Sequence, residues 1–335
     1  YANYLIDYGE IASKAISSTE DMNLYYAIRD LSDIKENINA SPSEIKNCEI
    51  NLKNAYKNIT YISESALLSR MNWWTVEYGL IGTINNPKIY GAGLLSSVGE
   101  SENCLSKKIK KIPLDINCIN YSYDITEQQP QLFVTLNYKN LSKVLKDLSK
   151  NMSYNVGGLR GLDAAIKAKT ICTIEIDFQI YISGIIKEYI KLKNKVVFIK
   201  LTGGTQLSYK KNQILGHGID YHCDGYSTPL GKLKNISKSI NQLKIDEINQ
   251  LNLKINSKVL LEFENNIKVA GIIKKILKRS SQIILITFVG WLSLSFLGIK
   301  LLEIFNGILK KIPILRTIYS AITQMTETFT KSKDN

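Results

Sequence analysis

Hydrophobic positions change their period along this chain, and each change predicts a different kind of structure. Over residues 1–80 they recur mostly at helical spacing. Ser18-Thr19-Glu20-Asp21 offers an N-cap hydroxyl with acidic groups in the first turn, and Met22, Tyr25, Ala27, Ile28, Leu31 and Ile34 follow. Ser41-Pro42-Ser43-Glu44 marks a second helix start, where the missing N–H of proline costs nothing. A third helix is predicted from Ser65 to about Leu80, with Arg70, Trp73 and Glu77 at i, i+3 and i+7 on one face. From Lys88 to Glu127 glycines, serines and alternating residues predict short strands, hairpins and one small helix around Ser97–Leu105. A strand at Val134 and a helix from about Leu141 to Met152 come next.

Residues 155–288 have another texture. Ile171–Phe178, Val196–Leu201, Val259–Phe263 and Ile283–Phe288 alternate, which predicts a β-rich region, and the runs from Leu253 onward suit a small barrel. The last fifty residues change class again: Ile283 to Ile299 is 17 residues without a charge. A bilayer core needs about twenty such residues. Two readings stay open: Ile283–Phe288 is the last strand of the β-rich region, or residues 283–302 form one membrane helix. In the second, Lys300, Lys310, Lys311 and Arg316 lie beyond one end, on the cytoplasmic side, and Pro313 interrupts the next helix.

Composition narrows this picture. The 335 residues are 44% hydrophobic and 22% charged, which excludes wholesale disorder. The net charge of +13 comes from lysines scattered among asparagines and isoleucines, as A+T-rich codons would give, so nucleic acid is not an expected partner. Cys48, Cys104, Cys118, Cys172 and Cys223 are odd in number and form no Cys-x-x-Cys pair, which predicts a reduced, cytoplasmic setting for residues 1–282.

The candidate chemistry lies in two segments, Asn72-Trp73-Trp74-Thr75-Val76-Glu77-Tyr78-Gly79-Leu80 and Tyr90-Gly91-Ala92-Gly93-Leu94-Leu95-Ser96-Ser97-Val98-Gly99-Glu100. Together with the Gln129-Pro130 run before the Val134 strand, they resemble the pterin-dependent aromatic amino acid hydroxylases, over about residues 1–152. The resemblance implies an Fe(2+) site of two histidines and one carboxylate, with Glu77 as the carboxylate. It implies tetrahydropterin and oxygen as co-reactants and an aromatic amino acid as substrate, phenylalanine being favoured. It also implies that Ser96 supports an iron-bound histidine and that Trp73 walls the substrate site, whereas Trp74 is expected in the core. The cofactor-binding residues are left unassigned.

In that family the two histidines stand upstream in His-Glu-x-x-His. The chain opens at Tyr1-Ala2-Asn3-Tyr4 and runs straight into apparent helix, so the expectation is an N-terminally truncated domain lacking both. Its only histidines are His217 and His222, near Asp220, Cys223 and Asp224, and their i,i+5 spacing lets only a loop bring the rings together. Gly91, Gly93 and Gly99 lack the spacing of a phosphate loop.

The expected architecture is α+β: an incomplete, mainly helical hydroxylase catalytic domain (1–152), a β-rich extension like that of certain bacterial members (155–288) and a membrane-like helical tail (289–335). Residues 289–330 resemble a bacterial membrane-protein family of unknown function, and the tail would meet a lipid bilayer. The expected function is an iron- and tetrahydropterin-dependent monooxygenase converting phenylalanine to tyrosine, inactive in the chain as it stands. The alternative is a noncatalytic assembly or membrane-associated fusion protein.

Overall fold

The computed structural model describes residues 1–123, 128–176, 179–279 and 282–288. They divide into two compact units, one running from Tyr1 to Leu230 and the other beginning at Gly231. The first begins with α1 (Ala2–Ala12), α2 (Thr19–Glu36), α3 (Pro42–Lys57) and α4 (Glu64–Asn72). Ser18 and Ser41 cap α2 and α3 through reciprocal bonds with Asp21 and Glu44, as the sequence pattern requires. Neither helix has a fully buried residue, so this hairpin relies on the half-buried stripe between its arms, and the exposed Lys35–Glu49 ion pair adds little.

A four-stranded sheet comes next, built from β1 (Leu80–Thr83), β2 (Asn86–Ile89), β3 (Lys110–Pro113) and β4 (Gln131–Thr135) in the order β2-β1-β4-β3. β4 is parallel to both β1 and β3, and its Leu132, Phe133 and Val134 are buried. Two short helices, α5 (Ala92–Ser96) and α6 (Val98–Asn103), separate β2 from β3. α7 (Tyr138–Ser149) then lays Leu141, Val144, Leu145 and Leu148 into the same core as Tyr4, Leu68, Met71, Trp74 and Leu80. These residues sit at i, i+3, i+4 and i+7, so one face of α7 is apolar and its lysines line the other.

The predicted β-rich region opens with two helices that the alternation did not reveal, α8 (Ser153–Val156) and α9 (Gly158–Ala168). Antiparallel β5 (Ile171–Ile176), β6 (Ile180–Leu192), β7 (Lys195–Tyr209) and β8 (Asn212–Gln213) form the second sheet in that order, and β9 (Tyr226–Pro229) also pairs with β7. This sheet belongs to the first unit, which runs to Leu230. Polar contacts across long sequence separations hold it there. Thr19 Oγ1 donates to Ala168 O at 2.9 Å and Thr170 Oγ1 to Ser17 O at 2.6 Å. The Glu64 carboxylate accepts from Ile16 N at 3.1 Å, from Ser153 N at 2.6 Å and from Ser153 Oγ at 2.7 Å.

The second unit contains α10 (Ile245–Gln250) and the strands β10 (Lys258–Glu262), β11 (Lys268–Arg279) and β12 (Gln282–Phe288), paired as an antiparallel meander. Leu233, Leu243, Ile248, Leu253, Phe263 and Ile273 form its core. Among the described residues the strand order is β10-β11-β12, without the closure a barrel would need. The expected anchor at 283–302 is corrected at its start: Ile283–Phe288 pair with β11 from Lys278 to Ile272, so these residues are strand and not membrane helix. That commitment leaves too few apolar positions for one helix to span from Ile283. The rest of that segment, and the helical tail expected at 289–335, lie outside the described residues. Among the described residues no helix is long and apolar enough to cross a membrane, so the bilayer contact is without structural support. All five cysteines are free thiols, and burial pushes the Cys118 thiol up to about 12.

Glu64→Ala would leave the Ile16 and Ser153 donors without their charged acceptor. A loss of roughly 2–4 kcal/mol is expected from the first unit, read by urea unfolding, with Ser153→Ala costing less because Glu64 keeps its backbone donors.

Candidate functional site

The site begins where α4 stops being regular. Ser63 caps its N-terminus by accepting from Ala66 N at 3.0 Å. After Asn72 the ladder widens into a π-turn over Trp73–Glu77, closed by Tyr78 N donating to Trp73 O at 2.8 Å. The predicted helix to Leu80 therefore ends at Glu77, and Leu80 already belongs to β1. Thr75 Oγ1 bonds Met71 O at 2.6 Å and meets the buried Tyr4 hydroxyl at 2.9 Å, which supplies partners inside the widened turn. Trp74 is fully buried and donates its indole N–H to Tyr121 O at 3.0 Å, in line with its expected core role.

The wider turn separates the face predicted for Arg70, Trp73 and Glu77. Arg70 turns to the carbonyl of Ile119 at 3.1 Å. Among the described residues no ion pair or hydrogen bond engages the half-buried Glu77 carboxylate. Trp73 is packed between two rings, Tyr123 at 4.3 Å and 10° and Tyr78 at 4.5 Å and 23°. Both faces of the indole are thus covered, while its buried N–H lacks a hydrogen-bond partner among the described residues.

Opposite Glu77 stands the second motif. Gly79 O receives both Tyr90 N at 3.3 Å and Gly91 N at 3.0 Å, folding Tyr90–Gly91 back onto the π-turn. A Cβ on Gly91 would stand 2.4 Å from Glu77 O and 2.6 Å from Gly79 N, so only glycine permits this approach. A Cβ on Gly93 would come within 3.3 Å of Glu77 Oε2, which places that carboxylate directly beside the turn leading into α5. Ser96 is exposed and donates to Gly93 O at 3.1 Å; its hydroxyl is satisfied within its own turn.

Tyrosines surround this junction. Tyr1 packs against Tyr90 at 5.7 Å and Tyr138 at 5.5 Å, and burial together with the Glu77 charge raises its phenol pKa. The same two causes, with Glu100 between them in weight, raise that of Tyr78. Glu100 is itself buried, at N3 of α6, and desolvation raises its carboxyl above the usual range against a backbone N–H bond from Gln129. The wall of tyrosines and the Tyr78–Trp73–Tyr123 stack escaped the sequence reading; Tyr78 stands inside the motif, but nothing in the spacing brings Tyr1, Tyr123 or Tyr138 to it.

His217 and His222 lie elsewhere, in the loop from β8 to β9 on the second sheet. Their rings do meet, Nδ1 of His217 to Nε2 of His222 at 3.2 Å. Among the described residues no group of three or more His, Cys, Asp or Glu side chains is placed to hold a metal ion.

A half-buried carboxylate with no hydrogen-bond or ion-pair partner among the described residues, presented by a π-turn against a glycine turn and ringed by aromatics, is an arrangement that keeps an anionic oxygen available to a ligand. The sequence profile of the biopterin-dependent aromatic amino acid hydroxylases matches residues 60–157, which contain this junction. Human phenylalanine-4-hydroxylase is 37% identical over 83 residues, 24% of this chain and 18% of that protein. The Chromobacterium violaceum enzyme is 42% identical over 77 residues, 22% of this chain and 26% of that protein. The matched part is thus about a fifth to a quarter of these relatives' length. A solved phenylalanine hydroxylase from Legionella pneumophila aligns at 36% identity over 32% of this chain and 45% of its own, with a TM-score of 0.25. Residues 281–335 match a family described as a protein of unknown function (DUF502). Residues 60–157 are therefore the part of this chain that is similar to the biopterin-dependent aromatic amino acid hydroxylases.

Two outcomes check this geometry. Gly91→Ala should destabilise the first unit by about 2 kcal/mol or more, because the added methyl meets backbone atoms, whereas Gly99→Ala, whose nearest neighbour is the Gln128 side chain at 3.4 Å, should be tolerated. Glu100, with its folded pKa above the unfolded one, favours folding most when protonated. Its contribution should fall as pH rises from the ordinary carboxylate range toward the raised value, and Glu100→Gln should flatten that slope in pH-dependent urea unfolding.

Proposed function

We propose that this chain carries the carboxylate side of an aromatic amino acid hydroxylase centre, with Glu77 as iron ligand, a tetrahydropterin and oxygen as co-reactants and phenylalanine as the favoured substrate. One observation carries the reading: the Glu77 carboxylate has no protein partner among the described residues and is fixed beside Gly93, inside the segment that matches the family. The Chromobacterium structures include one with iron and phenylalanine and one with iron(III) and oxidised 7,8-dihydrobiopterin.

The described residues do not make up a complete iron site. A facial triad needs three protein donors, and no three-donor group is present among them. His217 and His222 bond to each other on the second sheet, so the reading assigns them no part in this centre. Trp73 is proposed to border the substrate by its edge, since Tyr78 and Tyr123 cover both of its faces. Ser96 fits the support of an imidazole only if it gives up its bond to Gly93 O.

The 335-residue chain, supplied with Fe(2+), a tetrahydropterin and phenylalanine, is expected to form no tyrosine above the enzyme-free blank. Co-expression with a segment bearing His-Glu-x-x-His from a complete relative should give tyrosine formation that Glu77→Gln abolishes. Complemented activity insensitive to Glu77→Gln would sink the assignment.

A further inference from the structure

The loop between β8 and β9 brings together two imidazoles far apart on any regular element, and the proposed hydroxylase centre makes no use of them. We propose that His217 and His222 form a second, independent metal site, a two-imidazole chelate for a late divalent transition ion such as zinc. The argument rests on how the rings are held. His217 O accepts from Leu207 N at 3.0 Å and His222 O from Thr205 N at 3.1 Å, so strand β7 pins the backbone of each histidine separately. Within the loop His222 N donates to Gly218 O at 3.1 Å and Gly225 N to His222 O at 3.1 Å, which closes a tight turn between them. Gly225 adopts φ +112, and a Cβ there would stand 2.3 Å from Leu201 O, so the return of the loop to the sheet requires glycine.

The nitrogens that result suit a metal in spacing. Nδ1 of His217 and Nε2 of His222 are 3.2 Å apart. Tetrahedral zinc with Zn–N bonds near 2.0–2.1 Å separates two ligand nitrogens by about 3.4 Å. The ring centroids are 5.4 Å apart with planes at 27°, so the nitrogens nearly face each other. Pivots of both rings, each carrying its own lone pair off the line between the nitrogens, would turn the two toward one ion. Tyr221 and Tyr226 pack edge-on to the His222 ring at 4.8 and 5.3 Å.

In the present contact one ring donates to the other. Binding an ion moves that proton to the remote nitrogen of the donor ring, leaving two neutral imidazoles as ligands and consuming no oxidant or base. Water would fill the remaining positions, since Asp220, Cys223 and Asp224 are all exposed and make no three-donor cluster with the rings.

The test is a Zn2+ titration of the whole reduced chain, read by calorimetry and by imidazole nitrogen chemical shifts. The expected result is one zinc per chain, with shifts at Nδ1 of His217 and Nε2 of His222. His222→Gln and His217→Gln should each weaken binding by at least about tenfold. Cys223→Ser should keep the stoichiometry, and Glu77→Gln should leave the titration unchanged, which separates this site from the proposed hydroxylase centre. Circular dichroism of each variant reports whether it folds. Absence of stoichiometric zinc, binding that survives both histidine substitutions in folded variants, or binding lost with Cys223→Ser would overturn the proposal.

Discussion

The Glu64 carboxylate is the contact on which the arrangement of the first unit depends. Three stretches far apart in sequence, around residues 16, 64 and 153, meet on its two oxygens. A charged acceptor with several donors is worth more than the same bonds taken singly to water, because removing it strands partly buried N–H groups. Glu64 also opens the helix that ends at the π-turn. The same side chain therefore fixes the helix presenting Glu77 and the start of the segment leading to the second sheet. Membership of that sheet in the first unit results from this junction and from the Thr19 and Thr170 bonds, not from a shared sheet.

The junction of π-turn and glycine turn shows how a site is set by backbone approach. Tyr4 and Trp74 fill the core beneath it, so the turn cannot relax inward. Gly91 and Gly93 let the second motif close from above without side chains in between. The carboxylate is left at the seam between two backbones, held by geometry and, among the described residues, not by any ion pair of its own.

The helices capped by Ser18 and Ser41, the strand at Val134 and the apolar face of α7 were all legible because each rests on local rules: a cap, a proline, a period. The match around Glu77 was legible because the motif is contiguous. The features that stayed hidden depend on tertiary context. The π-turn differs from an α-helix by one widened bond, which no hydrophobic period records. Arg70 was placed beside Glu77 by spacing alone, but Ile119 O competes for it. Ile283–Phe288 read equally well as strand or helix until β11 supplied a partner. The two histidines met because a loop, unconstrained by either helical or strand period, did what neither element could.

The π-turn has a further meaning in terms of chain length. A π-turn accommodates an additional residue within a helix that otherwise keeps its pitch, here between Trp73 and Glu77. Each residue of an α-helix advances the chain by about 100° of rotation. Removing one residue and closing the wide bond would leave the residues after it near their present faces, whereas closing it without a deletion would carry Glu77 around the axis, away from Gly93. Composition would hardly change, and the core residues before the turn would stay where they are. In this chain the position of the Glu77 carboxylate is thus encoded by one widened helical bond, invisible to any comparison that scores residue types alone.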